Sequence, residues 1–371
     1  MNIVFQTLVL LFVSLFYGMN VHATNNLITQ KVTINLAEAG TLSDKIGYNR
    51  KFQIMNLKII GNINGSDLRI IREMSGCDYY GYDTSGVLEK LDLSEARIVK
   101  GGDFYYENHW GKNYTNIDEI GDYAFMGCKT LKEVILPSSI KEIGYYAFYG
   151  CDNLSDFDVP TNVENIGSSA FYGCHNLAKI KIPEGVTCIR EFTFSGCENL
   201  REVSLSSNIE AIESGAFMNC KKIENIILPS KLKSIGSQAF CSCYALTNIT
   251  IPQSVSLVDE YAFQECWGLL SIRVFWSLPL KINENVFFQV DKKNCVLYVP
   301  LNSYQDYWLA DGWGDFLNIT EFDATKINGA FASDCADEFD RYLINGQKNT
   351  NEKGLSIIKY KNGKSKKILI E

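Results

Sequence analysis

The stretch that decides the fold is IGDYAFMGCKTLKEVILPSSIKE at residues 120–142, because altered copies of it follow one another along the chain. The third copy, at residues 166–188, is IGSSAFYGCHNLAKIKIPEGVTC. One spacing that is kept through so many copies indicates a structural repeat rather than chance similarity. Seven copies, each of 23 residues, begin at Ile120, Ile143, Ile166, Ile189, Ile212, Ile235 and Val258.

Each position of the repeat keeps one residue type. The sixth is Phe (Phe125, Phe148, Phe171, Phe194, Phe217, Phe240, Phe263), and the ninth is Cys (Cys128, Cys151, Cys174, Cys197, Cys220, Cys243, Cys266). The L-x-x-V-x-L spacing that follows predicts a short strand with alternate side chains inward. Prolines end five of these strands, where a missing N–H costs least. Glycine at the eighth position, replaced by Asn219 in the fifth repeat, predicts a left-handed turn.

One repeat cannot bury its own apolar face, so the copies are expected to stack into a solenoid whose columns become continuous ladders. Parallel strands at ~4.8 Å spacing give seven coils roughly 30 Å of sheet. The residues between the inward positions form an outward ribbon of mixed charge, which we predict to be the ligand-binding face. Its members are Glu133, Ile135, Asp156, Asp158, Lys179, Lys181, Glu202, Ser204, Asn225, Ile227, Asn248, Thr250, Ser271 and Arg273.

The pattern I-G-x-x-A-F-x-x-C-x-x-L-x-x-I-x-I-P resembles the treponemal-type leucine-rich repeats of BspA-like bacterial surface proteins. The resemblance covers residues 120–281 and implies a leucine-rich-repeat solenoid, an α/β horseshoe-like stack of parallel strands with short helical or irregular turns opposite. It also implies an adhesin that binds host matrix proteins or other cells.

The flanks of the repeats are expected to be caps, because a solenoid must cover its end strands. Residues 24–119 predict an N-terminal cap with irregular coils, in which Leu88-x-x-Leu91-x-Leu93 is a strand and Asp67–Met74, capped by Ser66, a helix. Residues 282–320 predict a degenerate repeat, with a last strand at 295–300, and a helical cap at 302–319. Residues 321–338 are then a linker.

Both termini are expected to carry targeting signals. Residues 1–23 predict a signal peptide, with an apolar stretch from Ile3 to Tyr17 and the cleavage pattern Val21-His22-Ala23. Residues 339–371 resemble the end of a type IX secretion sorting domain, which implies a Bacteroidetes-like origin. There Asn362-Gly363, between two alternating runs, predicts a β-hairpin.

Charge is distributed unevenly between the tail and the rest of the chain. From Arg341 onward, eight basic and two acidic residues leave a balance of +6, so a net charge of −8 leaves −14 for the body. An acidic body argues against a nucleic-acid partner, whose binding needs a basic face.

The twelve cysteines of a chain predicted to be exported leave three states open: buried free thiols, disulfides or a metal site. Seven of them share one repeat position, and an odd column cannot pair fully. Small thiols suit a tight inner corner, so the free state is favoured. Cys241 and Cys243 form a single C-x-C, which is weak evidence for zinc, and no metal is assigned. Cys77, Cys188, Cys295 and Cys335 carry no assignment.

Catalytic signatures are scarce, and we expect no enzyme activity and no cofactor. After signal cleavage only His109 and His175 could serve a Ser/His/Asp or Cys/His arrangement. The sequence contains no H-E-x-x-H motif and no Gly-rich phosphate loop. Carboxylates such as Asp156 and Asp158 are expected on a solvated face, where near-normal pKa values make poor acid–base pairs.

Two N-terminal insertions are rich in aromatic residues. Such side chains either pack over the first coils or offer flat faces for sugars and interface anchors. The candidates are Tyr79, Tyr80, Tyr82, Phe104, Tyr105, Tyr106, His109, Trp110 and Tyr114.

The sequence therefore predicts a non-enzymatic, adhesin-like binding protein on the outer surface of a Gram-negative cell or secreted from it. It is expected to be a monomer with no transmembrane span in the mature chain and an extracellular protein as its partner. The alternative is a carbohydrate-binding surface protein of a glycan-uptake system that uses the aromatic loops.

Overall fold

The computed structural model describes residues 27–47, 49–327, 354–359 and 365–370. These residues confirm the predicted solenoid: parallel strands from successive coils stack in the order in which they occur along the chain. The signal peptide expected at 1–23 and most of the expected linker and tail lie outside the described residues.

The elements are as follows. In the N-terminal part lie β1 (Val32–Leu36), α1 (Leu42–Ile46), β2 (Asn56–Ile63), α2 (Gly65–Met74), β3 (Lys90–Ile98), β4 (Gly101–Asn108) and β5 (Gly111–Thr115). In the repeats lie β6 (Glu119–Ile120), β7 (Glu133–Ile135), β8 (Glu142–Ile143), β9 (Asp156–Phe157), β10 (Asn165–Ile166), β11 (Lys179–Lys181), β12 (Cys188–Ile189), β13 (Glu202–Ser204), β14 (Ala211–Ile212), β15 (Ser234–Ile235), β16 (Asn248–Ile251), β17 (Leu257–Val258) and β18 (Ser271–Val274). After them come β19 (Val296–Pro300), α3 (Tyr304–Leu309), β20 (Asn318–Phe322), β21 (Gly354–Lys359) and β22 (Ser365–Ile370). Short 3-10 helices span Arg50–Phe52 and Ala324–Ile327.

Each coil of the repeat region has three walls. The strand wall contains the longer strands, in the orders β1-β2-β3-β7-β9, β11-β13 and β16-β18-β19-β20. The second wall is built from the two-residue strands at the start of each repeat. They pair in the orders β10-β8-β6 and β12-β14-β15-β17. Partners in both ladders are one repeat apart, as in Lys179 opposite Glu202 and Ile189 opposite Ile212. The repeat length therefore sets the register directly.

The third wall, here called the turn wall, contains the Phe and Cys columns. Here the backbone of one coil bonds to the next: the Phe148 amide donates to the Ala170 carbonyl at 2.7 Å, and that of Phe171 to Thr193 at 2.9 Å. The Phe rings are fully buried and stack almost parallel, with centroids 5.3 Å apart between Phe148 and Phe171. The core is therefore a continuous pile of aromatic rings between hydrogen-bonded walls.

Two left-handed residues shape every coil of the turn wall. The eighth position has positive φ as predicted, for example 69° at Gly173, and Asn219 takes its place at 61°. The fourth position is also left-handed, mostly in non-glycine residues such as Tyr146 at 55°. The sequence did not reveal that second column, because its residues vary; the inter-coil bonds on either side hold them in this conformation.

The caps differ from expectation in their details. Helix α2 begins at Gly65, because Asn64 caps it: its side chain accepts from the Ser66 amide, and the Asp67 carboxylate accepts from the Asn64 amide. The predicted Ser66 cap was wrong, since the Asn64–Asp67 pair satisfies the first donors.

At the C-terminal end, the strand expected at 295–300 exists as β19 but is not the last. β20 pairs with it across five residues and crosses the predicted boundary between cap and linker. Only Tyr304–Leu309 of the expected helical cap is α-helical, and the side chains of Tyr307, Trp313 and Phe316 close the core. In the tail, β21 and β22 form an antiparallel pair as predicted, with Gly354 opposite Ile370, while the turn predicted at Asn362-Gly363 lies outside the described residues.

Candidate binding surfaces

The outward ribbon lies where the sequence placed it, on the outer face of the strand wall. Its fourteen residues are all exposed or half-exposed, while their neighbours such as Val134 and Ile180 are buried. The alternation along the chain therefore puts two outward columns side by side, mostly charged or polar but with exposed Ile135 and Ile227 among them. Ligand binding by this face stays a prediction.

Charges on the ribbon are partly paired between coils. Lys90 of β3 contacts Glu133 at 2.7 Å, and Lys179 contacts Asp156 at 3.7 Å. Within the described ranges, Asp158 and Lys181 have no oppositely charged partner within 4.0 Å. These exposed groups remain available to a charged partner molecule.

The ribbon continues past the seventh repeat into the C-terminal coils. Tyr298 of β19 lies opposite Arg273 of β18, and the guanidinium carbon of Arg273 is 5.3 Å from the Tyr298 ring centroid. The predicted ribbon contained no Tyr or Trp. In the structure, Tyr298 lies beside Arg273, the last residue of the ribbon.

The aromatic candidates of the N-terminal insertions divide into three groups. Tyr105 and Tyr106 are buried, so their candidacy as ligand-binding residues is withdrawn. The Tyr105 hydroxyl donates to the Asp122 carbonyl at 2.8 Å, and the Tyr106 ring stacks on Tyr123. Both close the first coil, because their strand β4 lies against it.

His109 and Trp110 occupy the turn of the β4–β5 hairpin, with ring centroids 4.4 Å apart. Trp110 is 81% exposed. The remaining five candidates lie together at the base of this hairpin and form what we call the aromatic patch: Tyr79, Tyr80, Tyr82, Phe104 and Tyr114.

Arg72 of α2 fixes the loop that carries three of the patch tyrosines. Its fully buried guanidinium donates to the carbonyl oxygens of Tyr123, Ala124, Met126 and Asp78 at 2.9–3.1 Å. One side chain thus joins the helix, the loop and the first repeat. Sequence reasoning missed Arg72, since nothing local distinguishes it from the neighbouring Arg69.

A second aromatic surface, which we call the tyrosine stripe, runs along the turn wall. Two pairs of its rings stack nearly parallel, with centroids 5.4 Å apart for Tyr123–Tyr146 and 4.8 Å for Tyr149–Tyr172, while Tyr145 meets Tyr123 and Tyr146 edge-on. Parallel stacking covers the ring faces and leaves edges and hydroxyls outward. The signal was present in the sequence: the first repeat has a tyrosine at its fourth position, the second at its third, fourth and seventh, and the third at its seventh. The stripe consists of Tyr123, Tyr145, Tyr146, Tyr149 and Tyr172.

The cysteine column confirms the expectation of free, buried thiols. The eleven cysteines in the described residues are free and ten are buried, whereas Cys335 lies outside those residues. Each thiol from the second repeat onward donates to the Phe carbonyl of the preceding coil, as Cys174 does to Phe148 at 3.2 Å. Burial raises the pKa of Cys128 to about 12 and that of Cys151 well above its ordinary value. The neutral, unreactive thiol is therefore the stable form.

The described part of the chain was also compared with the requirements of histidine-based catalysis and of metal binding. His175 Nδ1 lies 3.3 Å from the Asp152 carboxylate on the solvated turn, far along the chain from His109 on its hairpin. Among the described residues there is no group of three or more His, Cys, Asp or Glu that could hold a metal. The described helices include none long and apolar enough to cross a membrane.

Comparison with known proteins gives the following matches. The model of a family described as the BspA type leucine-rich repeat region matches in six copies, over residues 104–210 and 164–294. A leucine-rich-repeat protein of T. pallidum is 34% identical, and the match covers 42% of this chain and 72% of that one, with a TM-score of 0.40. A leucine-rich cell surface protein of Faecalibacterium prausnitzii is 18% identical over 81% and 92%, with a TM-score of 0.34. The pneumococcal vaccine antigen PcpA is 17% identical over 73% and 80%, with a TM-score of 0.37. A search of curated proteins found no significant match.

Proposed function

Because the chain belongs to the BspA-type leucine-rich-repeat family, we propose that it is a non-enzymatic binding protein of the cell exterior. In this proposal the outward ribbon recognises another extracellular protein. The predicted signal peptide supports export, and the resemblance of the tail to a type IX sorting domain supports retention at the outer surface.

The observation that carries the proposal is the rigid, regular exposure of the ribbon. Eleven of its fourteen residues lie on short strands, and residues between the two columns, such as Val134, Ile180 and Ile249, are buried in the continuous core. A surface fixed in this way loses little conformational entropy on binding. Alternating acidic and basic positions, such as Asp158 and Lys181 on successive coils, can match the charge pattern of one partner and repel others.

The proposal is tested with a panel of extracellular matrix and cell-surface proteins, immobilised and probed with the purified chain. Asp158→Lys and Lys181→Glu should each weaken binding to the recognised protein, because charge reversal at an interface is repulsive. Glu260→Lys, an exposed position on the turn wall, is the matched control and should bind like the parent. If both ribbon variants bind like the parent while the control weakens, the turn wall and not the ribbon is the binding face.

A further inference from the structure

The aromatic patch differs from the tyrosine stripe because two cations lie within it. The guanidinium carbon of Arg69 is 3.3 Å from the ring centroid of Tyr79 and 4.8 Å from that of Phe104. Lys112 Nζ lies 4.4 Å from the centroid of the same Phe104 ring. Tyr114 completes the group, with its ring in edge contact with Phe104 at 6.4 Å. Two positive charges thus share one aromatic ring.

These cations are weakly neutralised by the protein itself. Within the residues that the structure describes, no carboxylate oxygen lies within 4.0 Å of Arg69. The partner of Lys112 is Glu107, at the 4.0 Å limit, and the Lys112 side chain remains 46% exposed. These cations are therefore open to an anionic group of a ligand, and the planar guanidinium suits a carboxylate.

The rings of the patch offer faces as well as edges. Tyr82 is 71% exposed, Tyr114 52% and Tyr80 49%. Within the described residues, the ring contacts of Tyr82 and Tyr114 are tilted or edge-on, with interplanar angles of 54° and 78°. Open aromatic faces beside a polar group are what a pyranose ring needs, since it stacks its C–H side and directs its hydroxyls outward. In the tyrosine stripe, by contrast, Tyr123 and Tyr146 cover each other's faces, as do Tyr149 and Tyr172.

The loop that carries Tyr80 and Tyr82 is held in place before any ligand arrives. The Asp78 carboxylate accepts from the amides of both residues at 2.8 Å, and the Asp78 carbonyl accepts from Arg72. The Glu107 amide donates to the Tyr79 carbonyl at 2.8 Å, which ties the loop to the β4–β5 hairpin. A preorganised loop lowers the entropic cost of binding.

We propose that the aromatic patch is a binding site for a glycan that bears a carboxylated sugar, with Arg69 and Lys112 on the acid and Tyr82 and Tyr114 against the sugar rings. The site is separate from the ribbon and does not depend on its role. A nucleic acid also combines anions with stacking rings, but it needs many cations along its backbone. Two cations on a chain of net charge −8 fit a single acidic group instead.

The test is calorimetric titration of the full chain with sialyllactose, whose terminal sugar carries one carboxylate, and with neutral lactose. Sialyllactose should bind at least about tenfold more tightly, since a charge-assisted contact provides that difference. Sulfated lactose shows whether the site selects a carboxylate or any anion. Arg69→Gln and Tyr114→Ala should each weaken binding of sialyllactose by about tenfold while the melting temperature is kept.

Matched controls are Arg201→Gln, an exposed arginine on another coil, and Tyr304→Ala, an exposed tyrosine of the C-terminal cap. Both should bind sialyllactose like the parent, and so should the ribbon variant Lys181→Glu. Equal affinity for lactose, no binding of any of the three sugars, or no effect of Arg69→Gln and Tyr114→Ala would each overturn the proposal. Tighter binding of a ten-residue oligothymidine than of sialyllactose would replace the glycan with a nucleic acid.

Discussion

At the scale of single residues, the Phe at the sixth position of each repeat is among the largest fully buried side chains. Phe171 stacks between Phe148 and Phe194, with centroids 5.3 and 5.5 Å away, and Phe157 meets its edge at 5.0 Å. It is fully buried, so truncation leaves a cavity that the hydrogen-bonded walls cannot collapse around.

Phe171→Ala is therefore expected to lower the free energy of unfolding by about 3–5 kcal/mol. Lys181→Ala, on the exposed side of β11, should change it by no more than about 0.5 kcal/mol. Chemical denaturation of the two variants and the parent measures both values. Similar losses in the two variants would contradict the register of the solenoid.

The cysteine column makes a second residue-scale prediction. Since the thiols from Cys151 to Cys243 in that column are buried, hydrogen-bonded and held neutral by raised pKa values, alkylation in native buffer should leave them unlabelled. Denaturation without reductant should then expose them to full labelling, which mass spectrometry quantifies. Thiols that react only after a reductant is added would show that disulfides are present instead.

At the scale of elements, α2 and the β4–β5 hairpin hold the N-terminal end together. Asp67 at the start of α2 accepts the amides of Leu42 and Asn64, and Arg72 near its end bonds to the first repeat. The helix is thus connected at both ends, which places the aromatic patch at a fixed position on the solenoid.

Arg72→Met should lower the free energy of unfolding by at least about 3 kcal/mol, because several buried carbonyl oxygens lose their donor. Hydrogen exchange should rise first in the loop of residues 78–83 and in β4, whose positions depend on that side chain. Arg201→Met, on the surface, serves as the control and should leave both measurements unchanged. Unaltered exchange in the loop of the Arg72 variant would mean that other contacts hold it.

At the scale of the whole molecule, stability is expected to come from the stacked coils, because each coil bonds mainly to its neighbours. The hairpin of β21 and β22 pairs internally, and an isolated two-stranded hairpin is marginal on its own. Its basic balance also contrasts with the acidic body.

A chain that ends at Glu338 should therefore melt at the temperature of the parent and yet lose retention at the cell surface of its native host. Calorimetry and surface labelling of intact cells provide the two readouts. A large drop in melting temperature would make the tail part of the packed structure, and undiminished surface display would remove its sorting role.

The sequence by itself determined the solenoid, the inward columns, the left-handed eighth position and the buried thiols. It could do so because a repeat places equivalent residues, such as Cys151 and Cys174, in equivalent surroundings. A residue type that one coil needs at a given position therefore recurs at the same position of the other repeats, where it is visible in the sequence.

Outside the repeats, only the tertiary structure decided which side chains are buried and which are exposed. Tyr105 and Tyr106 became core because they contact Asp122 and Tyr123 of the first repeat, while Tyr80 and Tyr82, on the loop before the hairpin, remained exposed. Arg72 and Arg69, three residues apart on one helix, took opposite roles for a similar reason: the first faces carbonyl oxygens of the repeat and the second faces rings of the patch. Contacts between segments far apart in sequence leave no periodic pattern, so their outcome depends on how the chain packs.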